Sequence, residues 1–259
     1  MANQRPLAVI TGASSGIGAD LARCAAADGY DTLLIARRTD RLAALAEELP
    51  GTAHIMALDV AQPRPGEAVL AKLAELGREA DVLINNAGFG QTGLIAEIDR
   101  DIQTGMVDVN VRAVVDLAAA VLPPMLRAGG GGIINVGSTA AFQPGPTLAV
   151  YYATKAFVLS FSEALSEECR GTCVTITALC PGPVETEFKT LADMEKSRLF
   201  RFAKPMESPD VARIGWTGFK RGKRVVIPGL GPRIGAIGAR FTPHALLLPA
   251  VKFLQSAPK

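Results

Sequence analysis

A short apolar run near the start of the chain ends directly in a glycine-rich turn. Residues 7–10 lead into residues 11–18, which read TGASSGIG, and an alanine-rich helical pattern follows. A strand, a glycine turn and a helix in this order place free backbone N–H groups at a helix N-terminus, where they can hold phosphate oxygens. The order therefore predicts the first unit of a parallel α/β sheet, with a dinucleotide bound at the turn.

Three glycines in this turn have separate expected roles. Gly12 allows the sharp turn, Gly16 the close approach of a pyrophosphate, and Gly18 the tight packing of helix on strand. Their spacing is Gly-x-x-x-Gly-x-Gly rather than Gly-x-Gly-x-x-Gly, and the alternative is an ordinary strand-to-helix connection. The predicted cofactor contacts of the turn are Gly12, Ser14, Ser15, Gly16, Ile17 and Gly18.

The residues after the second predicted strand indicate which dinucleotide binds. Residues 31–36 end at Ala36, where an acid would bind the ribose hydroxyls of NAD, and Arg37 and Arg38 follow. Two guanidiniums suit the 2′-phosphate of NADP, and the Ser14 hydroxyl could contact the same phosphate. We predict NADP(H). The alternatives are that both arginines only begin the solvated face of the helix at residues 39–49, or that the cofactor is NAD.

Further strands are predicted at residues 53–58, 81–84, 132–137, 173–179 and 224–227. With the first two they form a Rossmann-type, doubly wound, seven-stranded parallel sheet with helices on both faces. A carboxylate after the third strand can meet an adenine edge. The motif Asn-Asn-Ala-Gly after the fourth can satisfy open backbone groups and line a cofactor wall, with simple turn chemistry as the alternative. The predicted cofactor contacts are Asp59, Val60, Asn86, Ala87 and Gly88.

Tyr151 and Lys155 are the predicted centre of the chemistry. If a helix begins near Ala149, they lie four residues apart on one face of it. Lowering a phenol pKa by about three units takes roughly 4 kcal/mol, and an ammonium at about 4 Å in a medium of dielectric about 20 supplies roughly that much. The pair is thus expected to act as a proton donor near pH 7. The alternative is an exposed tyrosine stacked beside a lysine stem.

Two further polar residues lie at positions that favour catalysis. Asn110 interrupts the apolar face of a helical stretch at residues 100–126, and a buried amide needs partners. It could hold a water that passes protons toward a lysine, or it could be a surface residue. Ser138 follows the fifth strand, at the edge where open α/β sheets bind ligands.

Together, these motifs resemble the short-chain dehydrogenase/reductase family over roughly residues 6–229. Residues 11–18 look like its cofactor turn, residues 85–88 like its fourth-strand motif, and residues 181–186 like the loop that holds the nicotinamide. The resemblance implies further cofactor contacts from Tyr151, Lys155, Pro181, Gly182, Val184 and Thr186.

The resemblance also implies a catalytic tetrad of Asn110, Ser138, Tyr151 and Lys155. Tyr151 would protonate a carbonyl oxygen while the nicotinamide delivers hydride to its carbon. Lys155 would bind the nicotinamide ribose and lower the phenol pKa, Ser138 would orient the carbonyl, and Asn110 would anchor the water relay. We predict an NADP-dependent carbonyl reductase or alcohol dehydrogenase. The alternative from another class is a non-catalytic NADP-binding regulator or scaffold of the same fold.

Composition argues against several other classes of protein. Hydrophobic residues make up 49% of the 259, and Arg112, Asp116 and Pro123 interrupt the best candidate for a membrane span. The first ten residues hold no signal-peptide core, so we expect a cytoplasmic protein. The cysteines lack metal-ligand spacing, which predicts buried free thiols, no disulfide and no metal. They are Cys24, Cys169, Cys173 and Cys180.

The charge of the chain is uneven. Nine basic residues and no acidic residue follow Asp210, which leaves 18 basic against 25 acidic residues up to that point. We expect one catalytic domain at residues 1–229 and a basic, apolar extension at residues 230–259 that packs on the domain or on a partner subunit of a homodimer or homotetramer. An alternative is that the extension contacts anionic lipid or an acidic acyl carrier. We expect no nucleic-acid partner.

Substrate selection is expected to fall mainly to residues 187–207, a stretch without a strand signal. Loops of this kind often close over substrate. Phe89, Phe142 and Leu148 are predicted to complete an apolar pocket. We therefore expect a hydrophobic ketone or acyl-type small molecule as substrate.

Overall fold

The structure is a computed structural model that describes residues 4–187 and 205–255. Parallel strands form its centre. The strands are β1 Leu7–Thr11, β2 Asp31–Ala36, β3 Ala53–Ala57, β4 Val82–Asn85, β5 Gly131–Val136, β6 Val174–Leu179, β7 Val184–Glu185, β8 Met206–Glu207 and β9 Val225–Val226. Seven of them form one parallel sheet in the order β3-β2-β1-β4-β5-β6-β9. The predicted doubly wound sheet is confirmed.

Helices cover both faces of this sheet. They are α1 Gly16–Ala27, α2 Thr39–Glu48, α3 Pro65–Glu75, α4 Arg100–Val107, α5 Ala113–Ala128, α6 Ala149–Glu168, α7 Ser208–Lys220, α8 Leu230–Phe241 and α9 His244–Gln255. Successive residues of a strand point to opposite faces, so Ala8 and Ile10 join one core with α1 and α7. Leu7 and Val9 join the other core, with α3, α5 and α6. Burial on both faces explains why these strands read as continuous apolar runs.

The long predicted helix contains a short π-helical segment. Asp108–Arg112 forms a π-helix between α4 and α5, and together they make a continuous helical stretch, Arg100–Ala128. By length and composition alone this stretch could cross a membrane, which corrects the expectation that none would qualify. Here Leu117, Val121 and Met125 are buried against the sheet, so its apolar face is part of the core.

Two elements differ from the sequence predictions. Residues 187–207 carry no strand signal, yet Met206–Glu207 pairs with Val184–Glu185 in a separate two-stranded parallel sheet. This pair is too short for periodicity to reveal. Residues 188–204, most of the predicted substrate-selecting stretch, lie outside the described residues. The prediction of buried thiols holds for Cys169 and Cys180, but Cys24 is half-buried and Cys173 is exposed; all four cysteines are free.

The C-terminal helices pack on the same chain. Ala239 of α8 and Leu247 and Val251 of α9 are buried in one cluster with Tyr151 and Tyr152. The break between the two helices falls next to Pro243. Large apolar side chains nevertheless remain on the outside of α8, namely Leu230, Ile234, Ile237 and Phe241.

Candidate active site

The glycine turn has the backbone geometry that its sequence predicts. Gly12 and Gly16 have φ angles of +65° and +55°, which other residues rarely adopt. A Cβ on Gly12 would lie 2.8 Å from Nδ2 of Asn86, and one on Gly18 would lie 2.4 Å from the carbonyl oxygen of Gly12. Close packing of α1 on the turn therefore requires glycine at both positions.

Thr11 and Asn86 hold the turn against the end of β4. The Thr11 hydroxyl donates to the carbonyl oxygen of Ile84 and accepts the backbone N–H groups of Asn86 and Ala87 at 3.0 and 3.1 Å. The side-chain amide of Asn86 donates to the carbonyl oxygens of Thr11 and Gly12, both at 3.1 Å. These bonds fix the position of the turn relative to the rest of the site.

Asn85 does not line the cofactor wall, contrary to the sequence prediction. Its amide points into the core, where it donates to Oδ1 of Asn135 at 2.9 Å, and the Asn135 amide donates to the Ser162 hydroxyl at 2.9 Å. The three side chains are buried and connect β4, β5 and α6. A buried amide needs such partners, and only the fold brings them together.

Arg38 connects the glycine turn to the segment after β7. Its Nη2 donates to the hydroxyls of Ser14 and Ser15 at 3.1 and 3.0 Å, and its Nη1 donates to Glu187 at 3.0 Å. Arg41 of α2 binds the same carboxylate. Sequence reasoning missed Arg41 and Glu187 as members of this site, although Arg41 follows Arg38 at helical spacing.

A cavity of about 430 Å³ runs from this arginine region to the predicted catalytic residues. Nearly all predicted cofactor contacts line it. The predicted residues among its lining are Gly12, Ser14, Ser15, Gly16, Ile17, Arg37, Arg38, Asp59, Val60, Asn86, Ala87, Gly88, Ser138, Tyr151, Lys155, Pro181, Gly182, Val184 and Thr186. Gly18 and Asn110 lie behind this lining and support it, as their hydrogen bonds and packing show.

Tyr151 is buried and hydrogen-bonded to the side chain of Ser138. Burial raises the pKa of the phenol far above its ordinary value, and the hydrogen bond to Ser138 opposes this only in part. The sequence predicts a lowered pKa, and for this structure that prediction is wrong. The reason is that burial outweighs the groups that could lower the phenol pKa. The Lys155 ammonium donates instead to the carbonyl oxygen of Val136, 2.9 Å away.

Lys155 is itself buried, on the same helix face as Tyr151. Its Nζ lies 5.7 Å from the centre of the Tyr151 ring. Burial lowers the pKa of Lys155 to about 8. A Cβ on Gly88 would lie 3.4 Å from Nζ, so the glycine leaves space beside the ammonium.

Asn110 lies in the π-helix between α4 and α5. Its amide nitrogen donates to the carbonyl oxygen of Phe89 at 2.9 Å and to the Thr154 hydroxyl at 3.0 Å, and its oxygen accepts the N–H of Phe89 at 3.1 Å. The side chain thus ties the loop after β4 to α6, one residue before Lys155. Segments of π-helix often occur at functional sites. The proton relay through Asn110 stays a prediction.

Apolar and aromatic side chains also line the cavity. Phe89, Ala140 and Tyr152 are among them, and sequence reasoning missed the last two. The prediction for Phe142 and Leu148 is wrong: Phe142 lies under the guanidinium of Arg240, and Leu148 is buried in the core. The hydroxyl of Tyr152 accepts a hydrogen bond from Gln255 at the end of α9, which a reading of local motifs could not connect to this site.

Comparison with known proteins decides the family. The family model for short chain dehydrogenases matches residues 6–196. This chain belongs to the short-chain dehydrogenase family. As a member of it, the chain is an oxidoreductase.

Relatives of this short-chain dehydrogenase differ in their substrates. Sulfoacetaldehyde reductase 2 of Chromohalobacter salexigens is 38% identical over 216 residues, which cover 80% of this chain and 86% of the relative. A short-chain dehydrogenase from Sphingobium yanoikuyae in complex with NADPH has a TM-score of 0.80 and 34% identity, and the match covers 93% of this chain and 95% of that one. A bulky-bulky ketone specific alcohol dehydrogenase from Comamonas testosteroni has a TM-score of 0.77 and 31% identity, and covers 93% of each chain.

The described residues of this short-chain dehydrogenase fit a nicotinamide dinucleotide. The side chain of Ser15 makes no capping hydrogen bond at the start of α1, so the first N–H groups of that helix are left for phosphate oxygens. Positive φ at Gly12 and Gly16 keeps Cβ atoms away from that place. In residues 4–187 and 205–255, His, Cys, Asp and Glu form no cluster of three or more that could hold a metal.

Proposed function

We propose that this short-chain dehydrogenase transfers hydride between NADP(H) and a carbonyl or alcohol carbon of an apolar small molecule. The observation that carries the proposal is the position of Tyr151. Its hydroxyl is hydrogen-bonded to Ser138 within the cavity that the glycine turn also lines, and Lys155 lies one helical turn away.

The cofactor would lie along the cavity with its phosphates at the glycine turn. The first N–H groups of α1 would hold the pyrophosphate, and Arg38 would bind a 2′-phosphate with Ser14 beside it. Lys155 and Thr186 would hold the other end. When bound, the reduced nicotinamide supplies the hydride.

The protein's own contribution is orientation and one proton. Because burial raises the phenol pKa, Tyr151 keeps its proton at neutral pH and can donate it to a carbonyl oxygen. Ser138 would hold that same oxygen in place. The ammonium of Lys155 would stabilise the phenolate that remains, so its charge is most valuable in the transition state. In the oxidative direction Tyr151 would accept the proton instead.

The lining favours an apolar ketone as substrate. Phe89, Ala140 and Tyr152 are the apolar and aromatic side chains that accompany Ser138 and Tyr151 in the described cavity lining. We therefore expect turnover of apolar ketones.

The test is NADPH oxidation with a panel of ketones by wild type, Tyr151→Phe and Tyr30→Phe. Tyr30 packs edge-on against Trp216, outside the cavity lining, and so serves as a matched control. We expect Tyr151→Phe to lower kcat by about 10²–10⁴-fold and Tyr30→Phe to leave it near wild type. Tight NADPH binding without turnover of any ketone would instead support a regulator or scaffold.

The choice of cofactor has its own test. Arg38→Ala should weaken NADPH binding more than NADH binding, because only NADPH carries the 2′-phosphate. Arg38 is preferred to Arg37 for this test since it is the arginine that contacts Ser14 and Ser15. Equal losses for both cofactors would favour an NAD-linked enzyme.

A further inference from the structure

Glu187 lies between two arginines at the adenosine end of the cavity. One carboxylate oxygen accepts from Nη1 of Arg38 at 3.0 Å, and the other accepts from Nη1 of Arg41. The three side chains are 41 to 43% exposed, so solvent and ligands can reach them. A carboxylate held between two guanidiniums has the same charge complementarity that a phosphate would have.

Glu187 is held in this position by its neighbours along the chain. Val184–Glu185 is fixed by pairing with Met206–Glu207. The methyl group of Thr186 lies beside the glycine turn, since a Cβ on Gly16 would be 3.0 Å from its Cγ2. Glu187 therefore comes directly after a segment that is anchored on the glycine turn.

The two guanidiniums also keep Glu187 ionised. Hydrogen bonds from Arg41 and then Arg38 lower the pKa of its carboxyl group. The anion is thus present throughout the neutral pH range. A second anion that binds the same two arginines must either displace the Glu187 carboxylate or bind against electrostatic repulsion from it.

We propose that Glu187 is a specificity-determining residue that occupies the 2′-phosphate position as an internal anion and competes with the phosphate of NADP(H). The proposal rests on the proposed use of NADP(H). A dinucleotide without the 2′-phosphate leaves both ion pairs intact, whereas NADP(H) has to break at least the pair with Arg38. Glu187 thereby reduces the preference for NADP(H) that the arginines alone would give.

The competition predicts that removal of the charge strengthens the binding of ligands that carry a 2′-phosphate. Exposed ion pairs are individually weak, so we expect Glu187→Gln to bind 2′,5′-ADP roughly three- to tenfold more tightly than wild type. Binding of 5′-AMP, which lacks only that phosphate, should stay within about twofold. The gain in affinity of Glu187→Gln for 2′,5′-ADP should shrink as the salt concentration is raised, because exposed charges are screened.

The experiment is calorimetric titration of the full chain with 2′,5′-ADP and with 5′-AMP. Glu48→Gln is the matched control, because Glu48 is an exposed carboxylate of α2 that pairs with Arg23 at 2.8 Å and removal of it changes the net charge equally. A gain for 2′,5′-ADP in Glu187→Gln but not in Glu48→Gln supports the proposal. An unchanged or weaker affinity in Glu187→Gln overturns it.

A second background separates competition from a general effect of charge. In the variant Arg38→Ala/Arg41→Ala, addition of Glu187→Gln should change 2′,5′-ADP affinity by less than about twofold. A gain that persists there overturns the proposal. If wild type binds 2′,5′-ADP no better than 5′-AMP while Glu187→Gln does, the inference about Glu187 holds and the proposed preference of the wild type for NADP(H) fails. If wild type prefers 2′,5′-ADP and Glu187→Gln changes nothing, only the inference fails.

Discussion

The ammonium nitrogen of Lys155 donates a hydrogen bond to the carbonyl oxygen of Val136, 2.9 Å away at the end of β5. This bond orients the side chain toward the sheet edge where Ser138 follows. The ammonium is buried, and the loss of solvation lowers its pKa to about 8. Cys180 acts to raise this pKa, but its effect is too small to offset the burial. The charge that the chemistry needs is therefore kept at a cost to stability.

That cost gives a prediction for Lys155→Met. Because the folded pKa of about 8 is below the ordinary 10.5, the unfolded chain binds more protons between these values. The free energy of unfolding of wild type should then rise relative to Lys155→Met as pH goes from 8 to 10.5, by on the order of 3 kcal/mol at most. Urea unfolding of both proteins across this range measures the difference. Parallel pH profiles would contradict it.

The buried amide network gives a second prediction. Asn135→Ala removes the acceptor of the Asn85 amide and the donor to the Ser162 hydroxyl. Asn85 keeps its bond to the carbonyl oxygen of Val114 and Ser162 its bond to that of Val158, so we expect the loss of the two buried bonds to lower the free energy of unfolding by about 1–3 kcal/mol. Ser162→Ala breaks only the link between β5 and α6, so it should cost less. Chemical denaturation measures both. The network would have no such role if Asn135→Ala cost no more than Ser162→Ala.

How far the sequence predicts the molecule depends on the range of the interactions. The sheet, the glycine turn and the cavity lining follow from local patterns, since strand periodicity, positive-φ glycines and helical spacing are properties of neighbouring residues. The orientation of Asn85, the Lys155 bond to Val136 and the pairing of Glu187 with Arg38 are different. They join residues far apart in sequence, and burial rather than spacing decides the phenol pKa. Local motifs carry no information on these.

A third prediction concerns the ion pair of Asp31 and Arg78. Nη1 of Arg78 lies 3.0 Å from Oδ2 of Asp31, and the side chains of Asp31 and Arg78 are 7% and 9% exposed. Burial acts to raise the pKa of Asp31, but hydrogen bonds from the Thr52 N–H and from Arg78 outweigh it, so the pKa is lowered. A lowered carboxyl pKa stabilises the fold above the unfolded value of about 3.9, and the effect is lost as pH falls through the folded value.

Asp31→Asn should therefore destabilise the protein at pH 7, by about 3–5 kcal/mol, because Arg78 is left buried without its counter-ion. The difference from wild type should narrow as the pH falls below about 4. Asp210→Asn, which removes an exposed pair with Arg213, is the control and should change stability by less than about 1 kcal/mol. A difference from wild type that stays constant down to pH 2 would contradict the assignment.

The last prediction concerns the C-terminal helix α9. Gln255 donates a hydrogen bond to the buried hydroxyl of Tyr152, and Tyr152 lines the cavity beside Tyr151. Leu247 and Val251 pack in the same cluster. Gln255→Leu replaces the amide by an apolar side chain of similar size and so removes this donor to the phenol. We expect it to raise KM for ketones several-fold, while binding of 2′,5′-ADP stays within about twofold because the adenosine end is remote from α9.

Truncation after Thr242 removes α9 entirely and distinguishes this role from a role at a partner surface. If α9 mainly supports Tyr152, the truncated chain should have the same number of subunits as the full chain in light scattering and lose activity through a higher KM. If α9 instead forms a subunit contact, the number of subunits should fall while the KM of Gln255→Leu for ketones stays near wild type. The packing of Leu247 and Val251 beside Tyr151 and Tyr152 favours the first outcome, because those side chains are already covered by their own chain. Contact between chains would fall on the outward face of α8, where Leu230, Ile234 and Phe241 are 62 to 82% exposed.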